Sequence, residues 1–243
     1  MHWRLWKENI GLNQIKVEWS ILSFSWWWEG DKPSAAGYMD TWDQEDLRDD
    51  TLLLLKLHAL LDEADFVVAQ NGKRFDLKKI RARMVMLRMP PFSPVVVIDT
   101  MLIAKDNFGF TSNKLEWMAD KFSPIKKHKH GKFPGFELWV EYLKRNPAAR
   151  KEMRLYNIDD TKSLRYVYLA LRPWAVSHPN IAALWPDEDM RCPRCGSKAL
   201  GKDGFQYTNA GKYQRYRCTH CKGYARSRYT LNSTTKRKNT LLT

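Results

Sequence analysis

A chain of 243 residues with 44% hydrophobic and 13% aromatic side chains can bury one sizeable core and carry a small appendage, which excludes a disordered polypeptide. No apolar run approaches the roughly 18 residues that span a bilayer, and Met1 to Ile10 carries Arg4, Lys7 and Glu8 in place of a signal-peptide core, so the chain reads as cytoplasmic or nucleoid-associated. The net charge is +14, but 13 Lys or Arg against Asp203 alone place +12 of it between Arg191 and Thr243, so a phosphate backbone is the expected partner of that piece and a plain solvated surface the alternative.

Taken in order, the first 17 residues hold the apolar anchors Trp3, Leu5 and Trp6 without a clear period. From Glu18 to Glu29, alternating Leu22, Phe24, Trp26 and Trp28 predict a strand. Gly30-Asp31-Lys32-Pro33 then predicts a turn into a second strand from Ala35 to Met39. Asp49 and Asp50 are placed to cap a helix striped by Leu53, Leu57, Leu60 and Leu61. Phe66 to Ala69 is a short buried strand, Asn71-Gly72 a turn, and Leu77, Ile80, Met84 and Leu87 recur at helical spacing. Asp76 therefore sits where a strand ends and a helix begins, the edge on which open α/β sheets bind ligands. It has two readings there, site carboxylate or N-cap.

Pro90-Pro91 precedes another buried strand, Val95 to Ile98, which closes on Asp99-Thr100 and a short helix. Asn113 and Glu116 form a capping-box pair ahead of a helix running to about Lys121. Ile125 to Lys132 is a basic loop in which His128 and His130 have i, i+2 spacing among lysines, a pattern that fits phosphate contact better than metal binding, with a solvated loop as the alternative. A helix from Phe136 to Arg145 follows, and Pro147 opens a long one reaching Leu171. Met153, Tyr156, Asp160, Leu164, Val167 and Leu171 share one stripe of it. A carboxylate in an apolar stripe costs free energy unless paired, protonated or metal-bound. Tyr156 and Asp160 are thus either a buried hydrogen-bonded pair or part of a site.

Together, Asn71 to Asp76 and Tyr156-Asn157-Ile158-Asp159-Asp160 resemble the second and third motifs of the DEDD-type 3'-5' exonucleases, tyrosine subgroup, in the ribonuclease H-like superfamily. The likeness covers most of residues 1–175 and implies an α/β domain, a mixed sheet flanked by helices. It also implies phosphodiester hydrolysis with two Mg2+ or Mn2+ ions, which require clustered carboxylates. Asp76 and Asp160 match the family's metal-binding aspartates and Tyr156 its water-orienting tyrosine. Asn71 and Lys73, with Lys127 and Lys129 of the basic loop, are expected on the nucleic acid.

The resemblance breaks at the first motif, an Asp-x-Glu on the opening strand, which is central to the family's sheet. The one such triplet in this domain, Asp43-Gln44-Glu45, lies where acids favour a helix N-terminus. Two accounts are open. The reading frame starts upstream and this chain is N-terminally truncated, or it descends from a nuclease and has lost activity; the intact Asp76, Tyr156 and Asp160 favour truncation. Activity of the chain as it stands is expected to be low or nil.

Cys192-Pro193-Arg194-Cys195 and Cys218-Thr219-His220-Cys221 are two C-x-x-C knuckles with 22 residues between them. Each pair can bite one tetrahedral Zn2+ from a tight turn, and the Tyr-rich spacer supplies short strands, so residues 190–230 resemble a zinc ribbon. The zinc would be structural, because four thiolates leave no open position. A disulfide framework is the alternative. Arg215, Arg217, Lys222, Arg226 and Arg228 interleave with Tyr207, Tyr213, Tyr216, Tyr224 and Tyr229, which suits single-stranded nucleic acid, with protein contact as the rival. Residues 176–189 read as a linker and 231–243 as a frayed basic tail.

The reading is therefore a 3'-5' exonuclease that holds single strands or 3' ends, DNA rather than RNA, in a replication or repair setting that the resemblance alone supplies, phage-like in character. The competing reading is a non-catalytic nucleic-acid-binding protein on the same two domains. A transcription or transposition factor led by the ribbon is the third.

Overall fold

Alternation of large apolar and small polar residues builds the first hairpin. The computed structural model describes residues 11–125 and 132–242; the anchors Trp3, Leu5 and Trp6 and the loop residues Lys127, His128, Lys129 and His130 lie outside the described residues. Strand β1, Ser23–Trp26, pairs antiparallel with β2, Gly37–Asp40, in the register Phe24 to Met39, and Thr41 N–H extends the ladder to the Leu22 carbonyl at 3.0 Å. Gly37 is required, since a Cβ there would lie 2.3 Å from the Trp26 ring. The second strand starts later than the sequence predicts because Pro33–Ala35 closes into a 3-10 turn, for which proline presets φ.

Two units make up the chain: Met1–Leu102 with Phe110–Tyr168, and Ile103–Gly109 with Leu169–Thr243. In the first, helix α1 (Thr51–Glu63) leads to strand β3 (Phe66–Ala69), helix α2 (Asp76–Met86), strand β4 (Val96–Asp99) and the first turn of helix α3 (Thr100–Asn107), whose remainder from Ile103 belongs to the second. β3 and β4 are parallel, with Ala69 beside Asp99. Both strand senses of a mixed sheet are present, but as two separate two-stranded ladders among the described residues. Leu61, Leu77 and Val97 pack together, with Leu57 and Val67 against them, so α1 and α2 share the apolar face of the parallel pair.

Helices α4 (Leu115–Phe122), α5 (Glu137–Leu143) and α6 (Pro147–Leu171) complete the helical layer. Leu138, Tyr142, Ala149 and Met153 join Leu47 and Phe133 in a second cluster that fixes α5 and α6 on the segment after the hairpin. The polar face of β1 meets α6: Ser25 Oγ donates to the Asn157 carbonyl at 2.7 Å, and Asn157 Nδ2 donates to Ser23 Oγ at 3.3 Å. That docking sets the rotation of α6 around residues 156–161.

Several expected caps are used differently. Asp50 precedes α1 but makes no capping bond; its fully buried carboxylate accepts Arg83 Nη2 at 2.6 Å, Arg83 Nε at 2.8 Å and Ile21 N–H at 2.9 Å. Asp49 takes over the local work, accepting the Thr51 N–H at 3.0 Å, and the Thr51 hydrogen bonds hold its carboxyl below the usual range. The capping box does not form either. Lys114 stands at the N-cap of α4, while the Asn113 carbonyl accepts Gln70 Nε2 at 2.8 Å.

In the second unit, β5 (Leu200–Thr208), β6 (Gly211–Cys218) and β7 (Tyr224–Arg226) form an antiparallel sheet in that order, bulged between Lys202 and Phe205 where Gly204 has φ +65°. The segment expected as a linker carries a 3-10 turn, Ile181–Leu184, and packs on the first cysteine turn. Ile181 N–H reaches the Pro193 carbonyl at 2.7 Å, and the Trp185 ring lies so close over Gly196 that a Cβ there would fall 2.2 Å from it. The expected tail contains helix α7, Thr234–Lys238, capped by Ser233 Oγ accepting Lys236 N–H at 3.1 Å.

Candidate active site and cysteine cluster

The loop after β3 is shaped by a carboxylate that arrives from β4. Asp99 is buried and accepts the N–H groups of Asn71, Lys73 and Met101 at 3.0, 3.2 and 3.1 Å. Thr100 Oγ1 donates across to the Ala69 carbonyl and Gln70 Oε1, and Gln70 reaches on to the start of α4. Asn71 takes the left-handed conformation at φ 63°, which asparagine tolerates, and Gly72 follows because a Cβ would lie 2.4 Å from Ala69 Cβ. This brace delivers Asp76. By pattern Asp99 is only the end of a strand, yet the signal that singles out Asp76, a carboxylate at a strand's carboxyl end, applies to it equally.

Asp76 is the first residue of α2, and Phe75 occupies the N-cap, so the capping reading of Asp76 is corrected. Although the residue is exposed overall, its carboxyl is set back against the loop, with Oδ2 3.9 Å from where a Gly72 Cβ would stand. Burial, and then repulsion from Asp99, raise its pKa above the ordinary carboxylate value, with its own amide opposing. Lys73 is exposed and Asn71 half-buried on the same loop, their backbone amides already given to Asp99.

On α6, Tyr156 and Asp160 lie one turn apart and are hydrogen-bonded to each other. Burial of the phenol comes first in pushing its pKa well up, followed by the charge and hydrogen bond of Asp160 and then the charge of Glu116. Glu116, a capping residue by its spacing, belongs to this neighbourhood. Thus Tyr156 is brought to Asp160, and Asp76 to Asp99. Among the described residues, a group of three or more side chains within metal-ligating reach of one another is formed by the four cysteines alone. Asp43, of the Asp-x-Glu triplet, pairs with Arg150 at 3.4 Å well before α1 begins, so its partner is an arginine and not a helix N-terminus.

The cysteine cluster is local geometry closed by the sheet. Gly196 N–H returns to the Cys192 carbonyl at 2.8 Å and Lys222 N–H to the Cys218 carbonyl at 2.9 Å, two matching turns with Gly196 and Lys222 at positive φ. The four Sγ atoms lie within 4.8 Å of one another, with Cys192 to Cys221 at 3.6 Å and Cys195 to Cys218 at 3.7 Å, and all four are free thiols. A disulfide framework is therefore set aside. Four sulfurs about 2.3 Å from a tetrahedral Zn2+ would stand roughly 3.8 Å apart, so the thiols fit the ion. Burial raises the Cys192 and Cys195 thiols, whereas at Cys218 burial is outweighed by backbone hydrogen bonds from Cys221 and His220 that lower it.

One face of the β5–β7 sheet gathers Arg215, Arg217 and Arg226. Arg215 is opposite Arg226 and Arg217 opposite Tyr224, and the Arg226 guanidinium stands 4.1 Å from the Tyr213 ring centre. Arg217 and Arg226 are exposed, while Arg215 donates Nε to the Asp203 carbonyl at 2.7 Å and has Asp203 Oδ1 at 3.7 Å, so its charge is partly engaged. Two arginines directly opposed repel unless an anion lies between or beside them.

An α/β domain with helices on small sheets and carboxylates at strand and helix ends, followed by a basic four-cysteine unit, fits a protein that works on nucleic acid. The family model described as the RNase_H superfamily matches residues 8–172, and the chain belongs to that superfamily. Such domains usually work with divalent metal ions. No curated protein and no solved structure matches the chain. Among the described residues, no helix is long and apolar enough to cross a membrane.

Proposed function

We propose that this chain is a 3'-5' exonuclease that trims single-stranded 3' ends by two-metal-ion hydrolysis, DNA rather than RNA, with a zinc ribbon holding the strand. The observation that carries the reading is the Tyr156–Asp160 pair on α6, in the spacing of the tyrosine-subgroup motif and docked on the hairpin through Asn157. Asp76 and Asp160 offer the hard oxygen donors that Mg2+ or Mn2+ prefers. When bound, those ions supply the charge that activates a water and stabilises the leaving 3'-oxygen. Asp76, its pKa raised by burial and Asp99, is a carboxylate that a cation would relieve. Tyr156 stays protonated at neutral pH, so it is no general base; it donates to Asp160 and its oxygen accepts from the attacking water, fixing the line of attack.

Domains follow the same reading: residues 1–175 for chemistry, 190–230 for Zn2+ at Cys192, Cys195, Cys218 and Cys221, with Arg217, Arg226 and, less freely, Arg215 on the strand. Lys73, Lys127 and Lys129 take phosphates, in a cytoplasmic protein that meets replication or repair proteins. Asp76 and Asp160 are two of the four carboxylates such a centre uses, so weak activity is expected of this chain. The competing reading, a non-catalytic nucleic-acid-binding protein, is favoured by the lack of a three-acid cluster among the described residues. Cleavage of a 5'-labelled single strand with Mn2+ decides between them. Stepwise shortening that disappears in Asp160→Asn supports the exonuclease, and tight binding without shortening supports the binding protein.

A further inference from the structure

The C-terminal unit holds a cavity of about 430 Å3 that the exonuclease reading does not use. Tyr213 on β6, Arg228, Tyr229 and Thr230 after β7, and Arg237 and Thr240 at α7 contribute to its wall. The recess is built by backbone bonding. Leu231 N–H and Thr230 Oγ1 both donate to the Lys212 carbonyl, at 2.7 and 3.0 Å, laying the segment along β6, and the Ser233 cap then turns the chain into α7. Gly211 permits this approach, since a Cβ would lie 2.7 Å from Thr230 Oγ1.

Its chemistry is cationic and aromatic. Asp203 is the one acidic side chain after Arg191, and it sits against Arg215, so among the described residues no acidic side chain lines the cavity to neutralise Arg228 and Arg237. Arg237 spends one N–H on Thr234 Oγ1 at 3.2 Å and keeps the rest of its fork. Tyr229 is 79% exposed, and Tyr213 lines the same cavity as Arg228 and Arg237, so flat stacking surface and anion-binding donors meet in one place. The volume is enough for one nucleotide, in a recess that stays open to solvent on one side.

We propose that this cavity takes one unpaired nucleotide of a single strand, its base against Tyr229 and Tyr213 and its phosphate on Arg228 and Arg237. A base inside a duplex has both faces covered and cannot enter without being extruded. The proposal rests on the reading that the chain binds nucleic acid, and adds where and in what form.

The test measures anisotropy of the full chain with a labelled ten-nucleotide thymidine strand and an abasic strand of equal length, with thymidine monophosphate as competitor. Tyr229→Leu and Arg237→Gln alter exposed side chains, and zinc content and circular dichroism check that each variant is folded. Tyr229→Leu is expected to weaken the thymidine strand by about tenfold and leave the abasic strand unchanged. Arg237→Gln is expected to weaken both and lower the slope of log affinity against log salt by about 0.7. Equal binding of the two strands, or an unaffected Tyr229→Leu, would overturn the cavity while nucleic-acid binding stands. Absence of binding to either strand overturns both. Monophosphate binding as tightly as the strand would make this a free-nucleotide site and overturn the strand proposal.

Discussion

Replacing Asp50 by Asn tests whether a buried ion pair holds the chemistry-bearing elements of the first unit together. The carboxylate is fully buried and accepts two hydrogen bonds from Arg83, itself only 12% exposed, and one from Ile21 N–H. It thereby ties the entrance to β1, the start of α1 and the middle of α2, whose first residue is Asp76. Asparagine keeps the shape but offers one acceptor oxygen and turns an NH2 toward donors. The guanidinium loses the carboxylate it is bonded to and keeps the weaker charges of Glu18 and Asp49 and the Trp19 ring 5.9 Å away. Breaking such a pair from one side costs about 3–5 kcal/mol, and the slight exposure of Arg83 places the expectation near the lower end, about 3 kcal/mol. Urea denaturation followed by tryptophan fluorescence reads this, because Trp19 stacks on Lys79 and Arg83. The double variant Asp50→Leu, Arg83→Met should lose much less than the sum of the single losses. A cost below about 1 kcal/mol for Asp50→Asn, or simple additivity in the cycle, refutes the reasoning.

Asp76→Asn should raise the melting temperature at pH 7. Its folded pKa is raised, so ionisation costs stability as pH rises through the folded value, and the gain from Asn should vanish below the unfolded value of about 3.9. Melting curves from pH 3 to 8 that show no pH-dependent gap count against a crowded carboxyl at that position. One equivalent of zinc per chain should be released by a thiol-modifying reagent and be missing in Cys218→Ser, whose ribbon should lose its ordered circular dichroism; a metal-free wild type with an intact ribbon argues against the site. Tyr156→Phe should leave stability within about 1 kcal/mol yet lower Mn2+-dependent cleavage by roughly 10²-fold or more, an effect of losing a water-orienting group; unchanged cleavage removes Tyr156 from the chemistry.

Whatever follows from local periodicity could be read from the sequence. Pro147 and the 3.6-residue stripe set both ends of α6, and the same spacing put Tyr156 and Asp160 on one face, where they are hydrogen-bonded. C-x-x-C spacing set the two turns that bring the four thiols together. These patterns need only neighbours a few residues away. The tertiary structure decided where the carboxylates go, because their donors are distant in sequence. Asp50, a capping residue by its position, answers to Arg83 33 residues on, and Asp99, a strand end by pattern, binds amides of the loop 26 to 28 residues earlier. The stretch before Cys192, loop-like in composition, is held by Trp185 on Gly196 and by Ile181 on Pro193. A buried carboxylate must find donors, but which ones it finds depends on which surfaces the core brings together.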